Sequence, residues 1–386
     1  MKRFLALFLT LLLIFGITAC QTPAPESVES GWYSANGITI TEEQVERIVN
    51  GEFTTPKNVI VIIGDGMGPN DITLAEEYAK GVYDFGLVLN KLKNHGLATT
   101  HSASDEVTDS AASGTALATG VKTNNEMIGK DPEGNDLKNL AEYAREAGKK
   151  IGIITDEDIS GATPSAFVVH NVSRDNRREL TSAMVKFKPD VLMSKDYNSV
   201  IPYLDAEAQG IFDGEYVVAK DFARFDAALA TDSNNEKPFW GFLNGYSTIA
   251  SDNLAQCTEV ALKRLQNENG FFLMIESAGT DKFGHGGNMQ GKLNSVVTLD
   301  RTVAAVLKFM EKNPDTLLVI TSDHETGGVQ LPVTGEESLS DLLTLTEHTA
   351  TAVRVFGVGK GTEYFSDKMV DNTDIAKFLI SAIKGE

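Results

Sequence analysis

The sequence predicts an α/β fold, a three-layer sandwich with a mainly parallel central sheet and helices on both of its faces. Three observations lead to this prediction. Short apolar runs recur along the chain, helical patterns lie between them, and acids and histidines repeatedly follow the runs. Continuous apolar runs are typical of strands buried on both faces. With 386 residues, of which 42% are hydrophobic and 23% charged, the chain is long enough for a large core.

The first residues predict export. Lys2 and Arg3 precede an apolar run from Phe4 to Ile17, which is the pattern of a secretory signal peptide. The run is shorter than the roughly 20 residues that a membrane-spanning helix needs. We therefore expect residues 1–19 to be a signal peptide and the protein to be periplasmic or on the cell surface.

The residues around Cys20 predict a membrane anchor. The small residues directly before Cys20 are similar to a bacterial lipobox, in which the cysteine carries a lipid. A plain signal peptide with an incidental cysteine is the alternative. Residues 21–30 are polar and contain two prolines, so we interpret residues 20–40 as a lipidated tether to a bacterial membrane.

The strands and helices of the main domain are predicted within residues 41–386. A short helix is expected at residues 41–50 with Thr41 as its cap, and others in residues 136–150 and 293–313. The predicted buried strands are Val59–Ile63, Ile151–Thr155, Phe271–Ile275, Leu317–Thr321 and Ala352–Phe356. The apolar stripe of the last helix consists of Leu293, Val296, Val297, Val303, Val306, Leu307 and Met310.

Two further regions need an interpretation of their own. Residues 190–255 lose the alternation of strands and helices, and we interpret them as a divergent insertion or small cap over one edge of the sheet. Cys257 lies in a helical pattern and is expected to be packed rather than reactive.

The formal net charge of -20 argues against a nucleic acid as the main partner.

The stretch VTDSAASGTALATG, residues 107–120, allows two interpretations. Thr108 or Asp109 caps a helix of small residues that packs closely on the sheet. Alternatively, Ser110 is a nucleophile at a helix N-terminus, where backbone amides and the helix dipole favour an anion.

Acids and histidines cluster where predicted strands end. In a parallel sheet, functional side chains collect beyond the C-terminal strand ends. Four loops of this kind contain Asp65, Glu276, Asp281, His285, Asp323, His324 and His348. Groups of this kind at one edge repel or stay unpaired unless cations join them. Mixed Asp/His sets suit zinc, and a carboxylate-and-hydroxyl set suits magnesium.

The spacing of Asp281 and His285 is open to two interpretations. These residues are four positions apart, so on one helical turn both side chains would face one ion. The neighbouring glycines, Gly284 and Gly286, favour a loop instead. The remaining histidines, His95, His101 and His170, have no acids at matching spacing and are expected to be structural.

Six motifs together resemble the metal-dependent alkaline phosphatase family. IGDGMG, TDSAAS, ATPSAFVVHNVSR, IESAGTDKFGH, SDH and EHTA occur in that family's order, across residues 58 to about 358. The resemblance implies a phosphomonoesterase that acts on small phosphate esters through a phosphoserine on Ser110, with two zinc ions and one magnesium ion. It also implies a homodimer.

The resemblance also implies a role for each matched residue. Asp65 bridges the magnesium ion and one zinc ion, and Asp323 with His324 completes that zinc site. Asp281, His285 and His348 hold the second zinc ion, and Thr163 with Glu276 holds magnesium. Arg174 clamps the phosphate, and Lys282 is a second candidate for binding substrate, with a solvated surface lysine as its alternative.

The chain departs from the family pattern at one position near the magnesium site. In some relatives an acid or histidine lies two residues before the magnesium-binding threonine, where this chain has Gly161.

A phosphodiesterase or mixed-specificity phosphatase of the same superfamily is the main alternative function. A sulfatase is disfavoured because DSAAS lacks the Cys/Ser-x-Pro-x-Arg setting. A non-catalytic lipoprotein that binds zinc or phosphate is the alternative from another class.

Overall fold

A large sheet with helices on both faces forms the centre of the protein. The computed structural model describes residues 31–32, 40–83, 86–232, 236–243, 253–332 and 337–386. The expected signal peptide, Cys20 and most of the expected tether lie outside these residues. A small separate sheet pairs β1 (Gly31–Trp32) with β2 (Ile40–Thr41) in antiparallel orientation. Within the described residues, no helix combines the length and the apolar character needed to cross a membrane.

Ten of the described strands form the central sheet. In chain order they are β3 (Asn58–Gly64), β4 (Asn94–Thr99), β5 (Lys150–Thr155), β6 (Val191–Ser194), β7 (Val217–Ala219), β8 (Phe239–Phe242), β9 (Phe271–Ser277), β10 (Thr316–Thr321), β13 (Val353–Val358) and β14 (Met369–Asp371). Two further strands, β11 (Glu325–Thr326) and β12 (His348–Thr349), form an antiparallel ribbon of their own. The spatial order across the central sheet is β14-β4-β13-β10-β3-β9-β5-β6-β8-β7.

The sheet is mainly parallel, as the sequence predicts. Strand β13 is the described exception, because it runs antiparallel to both of its neighbours, β10 and β4. This reversal matters for the site. The N-terminal end of β13 lies at the edge where the parallel strands have their C-terminal ends, so the segment before β13 reaches the same edge.

Helices cover both faces of the sheet. They are α1 (Glu42–Val49), α2 (Pro69–Tyr83), α3 (Ser110–Thr119), α4 (Leu140–Glu146), α5 (Ala162–Ala166), α6 (Arg177–Phe187), α7 (Tyr197–Val200), α8 (Ala206–Glu215), α9 (Phe225–Leu229), α10 (Asn253–Leu265), α11 (Gly279–His285), α12 (Met289–Met310) and α13 (Asn372–Lys384). Short 3₁₀ turns occur at Val88–Lys91, Ile201–Tyr203, Phe222–Arg224, Ala230–Asp232, Leu339–Leu342 and Thr362–Phe365.

The core consists of two apolar layers, one on each side of the sheet. Strand β3 illustrates the division, because Ile60 and Ile62 belong to one layer while Val59, Val61 and Ile63 belong to the other. Successive side chains of a strand point to opposite faces, so a strand buried on both faces is apolar at every position. This is the physical reason why the continuous apolar runs predicted the central strands correctly.

Helix caps explain where the predicted helices begin. Thr41 caps α1 through a capping box with Gln44, as the sequence predicts. Helix α4 begins later than its pattern suggests, because Asn139 caps it and forms a capping box with Glu142. Helix α12 buries the predicted stripe, but it is also buried on much of its polar side, including Lys292.

The segment 190–255 differs from the interpretation as a cap over one sheet edge. Its strands β6, β7 and β8 continue the central sheet in parallel beyond β5. The alternation of strands and helices is hard to detect in this part of the sequence, because these strands have only three or four residues each. Cys257, on α10, is fully buried, which confirms that it is packed.

Candidate active site

Side chains from several strand ends meet at one edge of the sheet. Asp65 follows β3, Asp323 follows β10, and Glu276 lies near the end of β9, and these three strands are adjacent. The ribbon of β11 and β12 pairs Thr326 with His348 and so brings His348 to the same edge. The convergence that the sequence predicts therefore follows from strand order and from the reversal of β13.

Ser110 is the first residue of α3, and Asp109 is its cap. Asp109 Oδ1 accepts a hydrogen bond of 2.9 Å from the backbone N–H of Ala112. The alternatives of cap and nucleophile are thus compatible, because the cap is Asp109 and Ser110 is free to point elsewhere. Ser110 Oγ lies 3.1 Å from His324 Nε2, and the serine side chain is buried.

Arg174 is held beside Ser110 by the other oxygen of the same cap. Asp109 Oδ2 accepts hydrogen bonds from Arg174 Nη1 at 3.1 Å and from the N–H of Glu126 at 2.9 Å. The backbone N–H of Arg174 also donates to the carbonyl of Glu126 at 2.8 Å. The guanidinium therefore has a fixed position next to the serine and keeps donors available for an anion.

The first group of metal-ligand atoms surrounds His324 Nε2. This nitrogen lies 3.3 Å from Asp323 Oδ2 and 3.5 Å from Asp65 Oδ1, in addition to its contact with Ser110. On the other side of the ring, Nδ1 lies 3.2 Å from Thr326 Oγ1. Thr326 donates its hydroxyl proton to Asp281 Oδ1 at 2.7 Å, so it can only accept from His324.

This network fixes the tautomer of His324. The proton lies on Nδ1, and Nε2 presents a lone pair to Ser110 and to two carboxylates. Burial also lowers the pKa of His324 well below its usual value, so the ring is neutral. A lone pair that faces carboxylate oxygens is an arrangement that a bound cation would satisfy.

The second group consists of Asp281, His285 and His348. Their ligand atoms all lie within 4.8 Å of one another, and the two Nε2 atoms are 3.1 Å apart. Nδ1 of His285 lies 2.5 Å from the carbonyl of Thr346, and Nδ1 of His348 lies 2.9 Å from that of Thr108. In the neutral rings, both Nδ1 atoms donate to these carbonyls, and both Nε2 lone pairs face Asp281.

The structure decides between helix and loop for this group. Asp281 and His285 lie on one turn of α11, with Asp281 Oδ1 3.2 Å from His285 Nε2. The glycines that favoured a loop have other roles. Gly284 packs against Thr326, where an added Cβ would lie 2.8 Å from Thr326 Cγ2, and Gly286 ends the helix.

The third group is entirely oxygen. It contains Asp65, Glu276 and Glu157, whose ligand atoms also lie within 4.8 Å of one another. Thr155 donates its hydroxyl proton to Glu276 Oε2 and leaves Oε1 free. Thr163, near the start of α5, is fully buried and belongs to the predicted magnesium set.

Buried oxygens without hydrogen-bond partners show that the residues fit metal ions. Among the described residues, atoms of this kind include Asp65 Oδ1, Thr163 Oγ1, Glu276 Oε1 and Asp323 Oδ2. All four belong to predicted ligands. Unpaired buried oxygens cost free energy, and bound cations would satisfy them together.

The charged forms of these carboxylates are unfavourable in the protein without metal. Burial, followed by the charges of Asp323 and Asp281, raises the pKa of Asp65 well above its usual range. Burial and the charge of Glu157 do the same for the pKa of Glu276, and burial raises that of Asp323 to about 6. In the protein without metal, these groups therefore tend to hold protons that cations would displace.

Comparison with known proteins identifies the family. The sequence model of the family described as alkaline phosphatase matches residues 56–197 and 243–341 of this chain. These ranges contain Ser110, Arg174 and every predicted metal ligand except His348. The chain belongs to the alkaline phosphatase family.

Two curated members of the alkaline phosphatase family illustrate the similarity. Alkaline phosphatase from Escherichia coli K12 is 30% identical over 83% of this chain and 82% of its own length. Alkaline phosphatase 4 from Bacillus subtilis is 32% identical over 73% of this chain, and the chain spans 64% of that relative's length.

A solved structure agrees with the fold. The alkaline phosphatase from the Antarctic bacterium TAB5 matches with a TM-score of 0.74 and 27% identity, over 86% of this chain and 99% of that one. A His-to-Asp variant of that protein is described with Mg bound in its M3 site.

The candidate site opens to solvent through a cavity. Its volume is about 390 Å³, and Ser110, Arg174, Lys282, His285 and His348 contribute to its walls. None of the described residues between 190 and 255 lines it. The cavity therefore exposes the serine, the guanidinium and the second metal group to a ligand from outside.

Lys282 lines this cavity, and its partly exposed side chain lies beside two carboxylates. Its Nζ is 3.4 Å from Glu157 Oε2 and 3.6 Å from Asp281 Oδ2. Burial acts against its charged form, but the charges of Glu157 and Asp65 raise its pKa above the usual value. The lysine is therefore a cation between the second and third groups.

The three other histidines lie outside all three groups. Nε2 of His170 is 3.3 Å from Glu142 Oε1, and Nδ1 of His101 is 3.8 Å from Asp371 Oδ2. These acids are distant in sequence, so spacing along the chain could not reveal them. His95 packs its ring against Phe356.

Glu157 is the site residue that the sequence reasoning missed. It follows β5 in the run TDED, which is a strand end of the same kind as those that located Asp65 and Asp323. The rule that acids collect beyond strand ends would have selected it.

Proposed function

We propose that this protein is a metal-dependent phosphomonoesterase that acts through a phosphoserine intermediate on Ser110. The observation that carries the proposal is the contact of 3.1 Å between Ser110 Oγ and His324 Nε2. The lone pair of this nitrogen and the carboxylates of Asp65 and Asp323 face one point beside the hydroxyl. A serine in this position can be activated by a cation bound there.

The donor atoms support two zinc sites and one magnesium site. Nitrogen and carboxylate donors from Asp323, His324 and Asp65 suit the first zinc ion, and those of Asp281, His285 and His348 suit the second. Oxygen donors from Asp65, Thr163 and Glu276 suit magnesium. When bound, these ions lower the pKa of the serine hydroxyl and of water and stabilise negative charge on the leaving oxygen.

The chain's own residues bind and orient the phosphoryl group. The guanidinium of Arg174, fixed by Asp109, grips two phosphoryl oxygens with its planar fork. The first N–H groups of α3 add backbone donors at the position where negative charge develops. Lys282 contributes a further positive charge at the cavity wall.

The reaction has two displacements. Ser110 loses its proton and attacks phosphorus in line, and the bond to the alcohol oxygen breaks as the phosphoserine forms. The leaving oxygen takes up a proton, equivalent to the one that the serine lost, and departs as the alcohol. A water molecule then attacks the phosphoserine, releases inorganic phosphate and restores the serine hydroxyl. A monoester suits this site better than a diester, because both Arg174 and Lys282 can compensate the second negative charge of its phosphate.

We propose an extracytoplasmic location with a lipid anchor on Cys20. The charged start, the apolar run and the lipobox-like residues before Cys20 support this part of the proposal. A phosphatase in this location releases phosphate from external esters without acting on internal metabolites. The homodimer that the family resemblance implies stays a prediction.

A direct test compares hydrolysis of an aryl phosphate monoester with that of the matching diester at pH 7–10. Wild type and Ser110→Ala are stripped of metal and reloaded with Zn²⁺ and Mg²⁺. We expect monoester turnover that depends on metal and is lost in Ser110→Ala, while Ser340→Ala, at an exposed serine of the 3₁₀ turn Leu339–Leu342, keeps it. Dominant diester turnover would place the protein among diesterases. Tight zinc binding without turnover of either ester would indicate a binding protein.

A further inference from the structure

Glu157 occupies space that a side chain at position 161 would need. A Cβ added to Gly161 would lie 2.1 Å from Glu157 Oε1 and 2.8 Å from its Cδ. The φ angle of Gly161 is -52°, which any residue adopts. The backbone therefore does not require glycine here, but the present position of the Glu157 carboxylate does.

The backbone of Glu157 is fixed on both sides. Its N–H donates to Thr155 Oγ1 at 3.0 Å, and its carbonyl accepts from the N–H of Lys195 at 2.8 Å. Thr155 also donates its hydroxyl proton to Glu276. One threonine at the end of β5 therefore orients both glutamates of the third group, and the Glu157 side chain is buried.

Buried oxygens without partners near Glu157 indicate a cation in addition to the clustering of acids. Asp65 Oδ1, Thr163 Oγ1 and Glu276 Oε1 are buried and have no hydrogen-bond partner within the described part of the chain. Lys282, 3.4 Å from Glu157 Oε2, supplies one positive charge against three carboxylates. The ligand atoms of the three carboxylates lie within 4.8 Å of one another, and unpaired oxygens with excess negative charge at one point are what a hard divalent cation neutralises.

We propose that Glu157 supplies the third carboxylate of the site formed by Asp65, Thr163 and Glu276, and that Gly161 makes room for it. Glu157 thus acts on the magnesium ion from a different loop position than the acid or histidine that some relatives have at position 161. An all-oxygen set with three carboxylates selects Mg²⁺ or Mn²⁺ over zinc. This inference rests on the proposed function, because it concerns the third ion of that site.

The test measures metal binding rather than activity alone. Zinc-loaded wild type and Glu157→Gln are titrated with Mg²⁺ by calorimetry and with Mn²⁺ by electron paramagnetic resonance. We expect the variant to bind both ions about 10–100-fold more weakly, with unchanged zinc content. Asp158→Asn is the matched control, because this neighbouring carboxylate binds Arg177 at 2.7 Å and Ser199 instead. Its Mg²⁺ affinity should equal that of wild type.

Moving the carboxylate from position 157 to position 161 gives a second test, in which Mg²⁺ affinity should be recovered rather than lost. Glu157→Ala empties the space beside position 161, and Gly161→Asp in the same chain returns a carboxylate from the other side. We expect the double variant to bind Mg²⁺ more tightly than Glu157→Ala alone. Equal affinity of these two variants would overturn the proposal.

A role through Lys282 would give a different result. If Glu157 only positions that lysine, Glu157→Gln weakens inhibition by inorganic phosphate and leaves Mg²⁺ affinity unchanged, which overturns the inference. Failure of the proposed function is distinguishable, because wild type itself would then lack zinc binding or monoester turnover.

Discussion

The hydroxyl of Thr326 lies 3.2 Å from Nδ1 of His324 and fixes the proton on that side of the ring. The same hydroxyl donates to Asp281 at 2.7 Å. One fully buried threonine therefore orients a ligand residue of the first proposed zinc site and a ligand residue of the second. It does so without occupying either site.

Replacing Thr326 tests this connection. Thr326→Val keeps the shape but leaves the His324 N–H without an acceptor, so we expect zinc affinity to fall about 10–100-fold. Thr326→Ser keeps the hydroxyl and should stay close to wild type. Competition with a chelator of known affinity measures both. Equal zinc affinity for the valine and serine variants would show that the hydroxyl does not orient the ligands.

Replacing Arg174 tests whether the two parallel N–H donors of its guanidinium bind the phosphate. Arg174→Lys keeps the positive charge but loses the second donor, and a charge-assisted hydrogen bond contributes about 1.5–3 kcal/mol. We expect KM for a monoester and the inhibition constant for phosphate to rise together, by roughly tenfold or more. Arg178→Lys, at an arginine that donates to the carbonyl of Leu204, is the control and should change neither constant. A fall in kcat alone would contradict a role in binding phosphate.

Removal of metal should destabilise the protein, and more so at higher pH. Burial raises the pKa of Asp323 to about 6, and burial with neighbouring charges raises the pKa values of Asp65 and Glu276. An acid with a raised folded-state pKa contributes stability below its unfolded pKa, roughly 4, and this contribution is lost as pH rises through the folded value. In chelator, Tm should therefore be lower at pH 8 than at pH 5.

A single substitution checks the cause of that pH dependence. Asp323→Asn removes one of the buried charges, so in chelator at pH 8 the variant should melt at a higher temperature than wild type. Asp213→Asn, at an exposed acid, should leave Tm unchanged within error. Calorimetric scans between pH 5 and 8 provide the measurement. A flat profile for chelated wild type would contradict the assignment of these carboxylates to cation sites.

Cys257 should be unreactive in the folded protein. Its thiol is fully buried on α10, and burial raises its pKa, so little thiolate forms and no reagent reaches it. In a Cys20→Ser chain, where it is the sole cysteine, we expect no reaction with an aromatic disulfide reagent until denaturant is added. One thiol per chain should then react. Rapid reaction in native buffer would show that α10 opens locally.

The central strands and the candidate metal-binding acids that follow them were predictable from local sequence patterns. Continuous apolar runs located β3, β5, β9 and β10, because strands covered on both faces tolerate few polar residues. The acids that follow such runs indicated the edge of the sheet at which the candidate site lies. The short strands β6, β7 and β8 escaped this signal, because three or four residues form too short a pattern.

By itself, the sequence determined the fold class, and it predicted the serine at the head of α3 and every member of the three candidate metal groups except Glu157. These properties depend on local patterns and on motifs that are contiguous in the chain. The tertiary structure decided that Asp281 and His285 share a helical turn, that the reversed β13 and its ribbon bring His348 to the site, and that Glu157 fills the space beside Gly161. His348 reaches the site through packing between segments that are distant in sequence. The other two relationships join residues four positions apart, but they depend on a local backbone conformation that the surrounding tertiary contacts select.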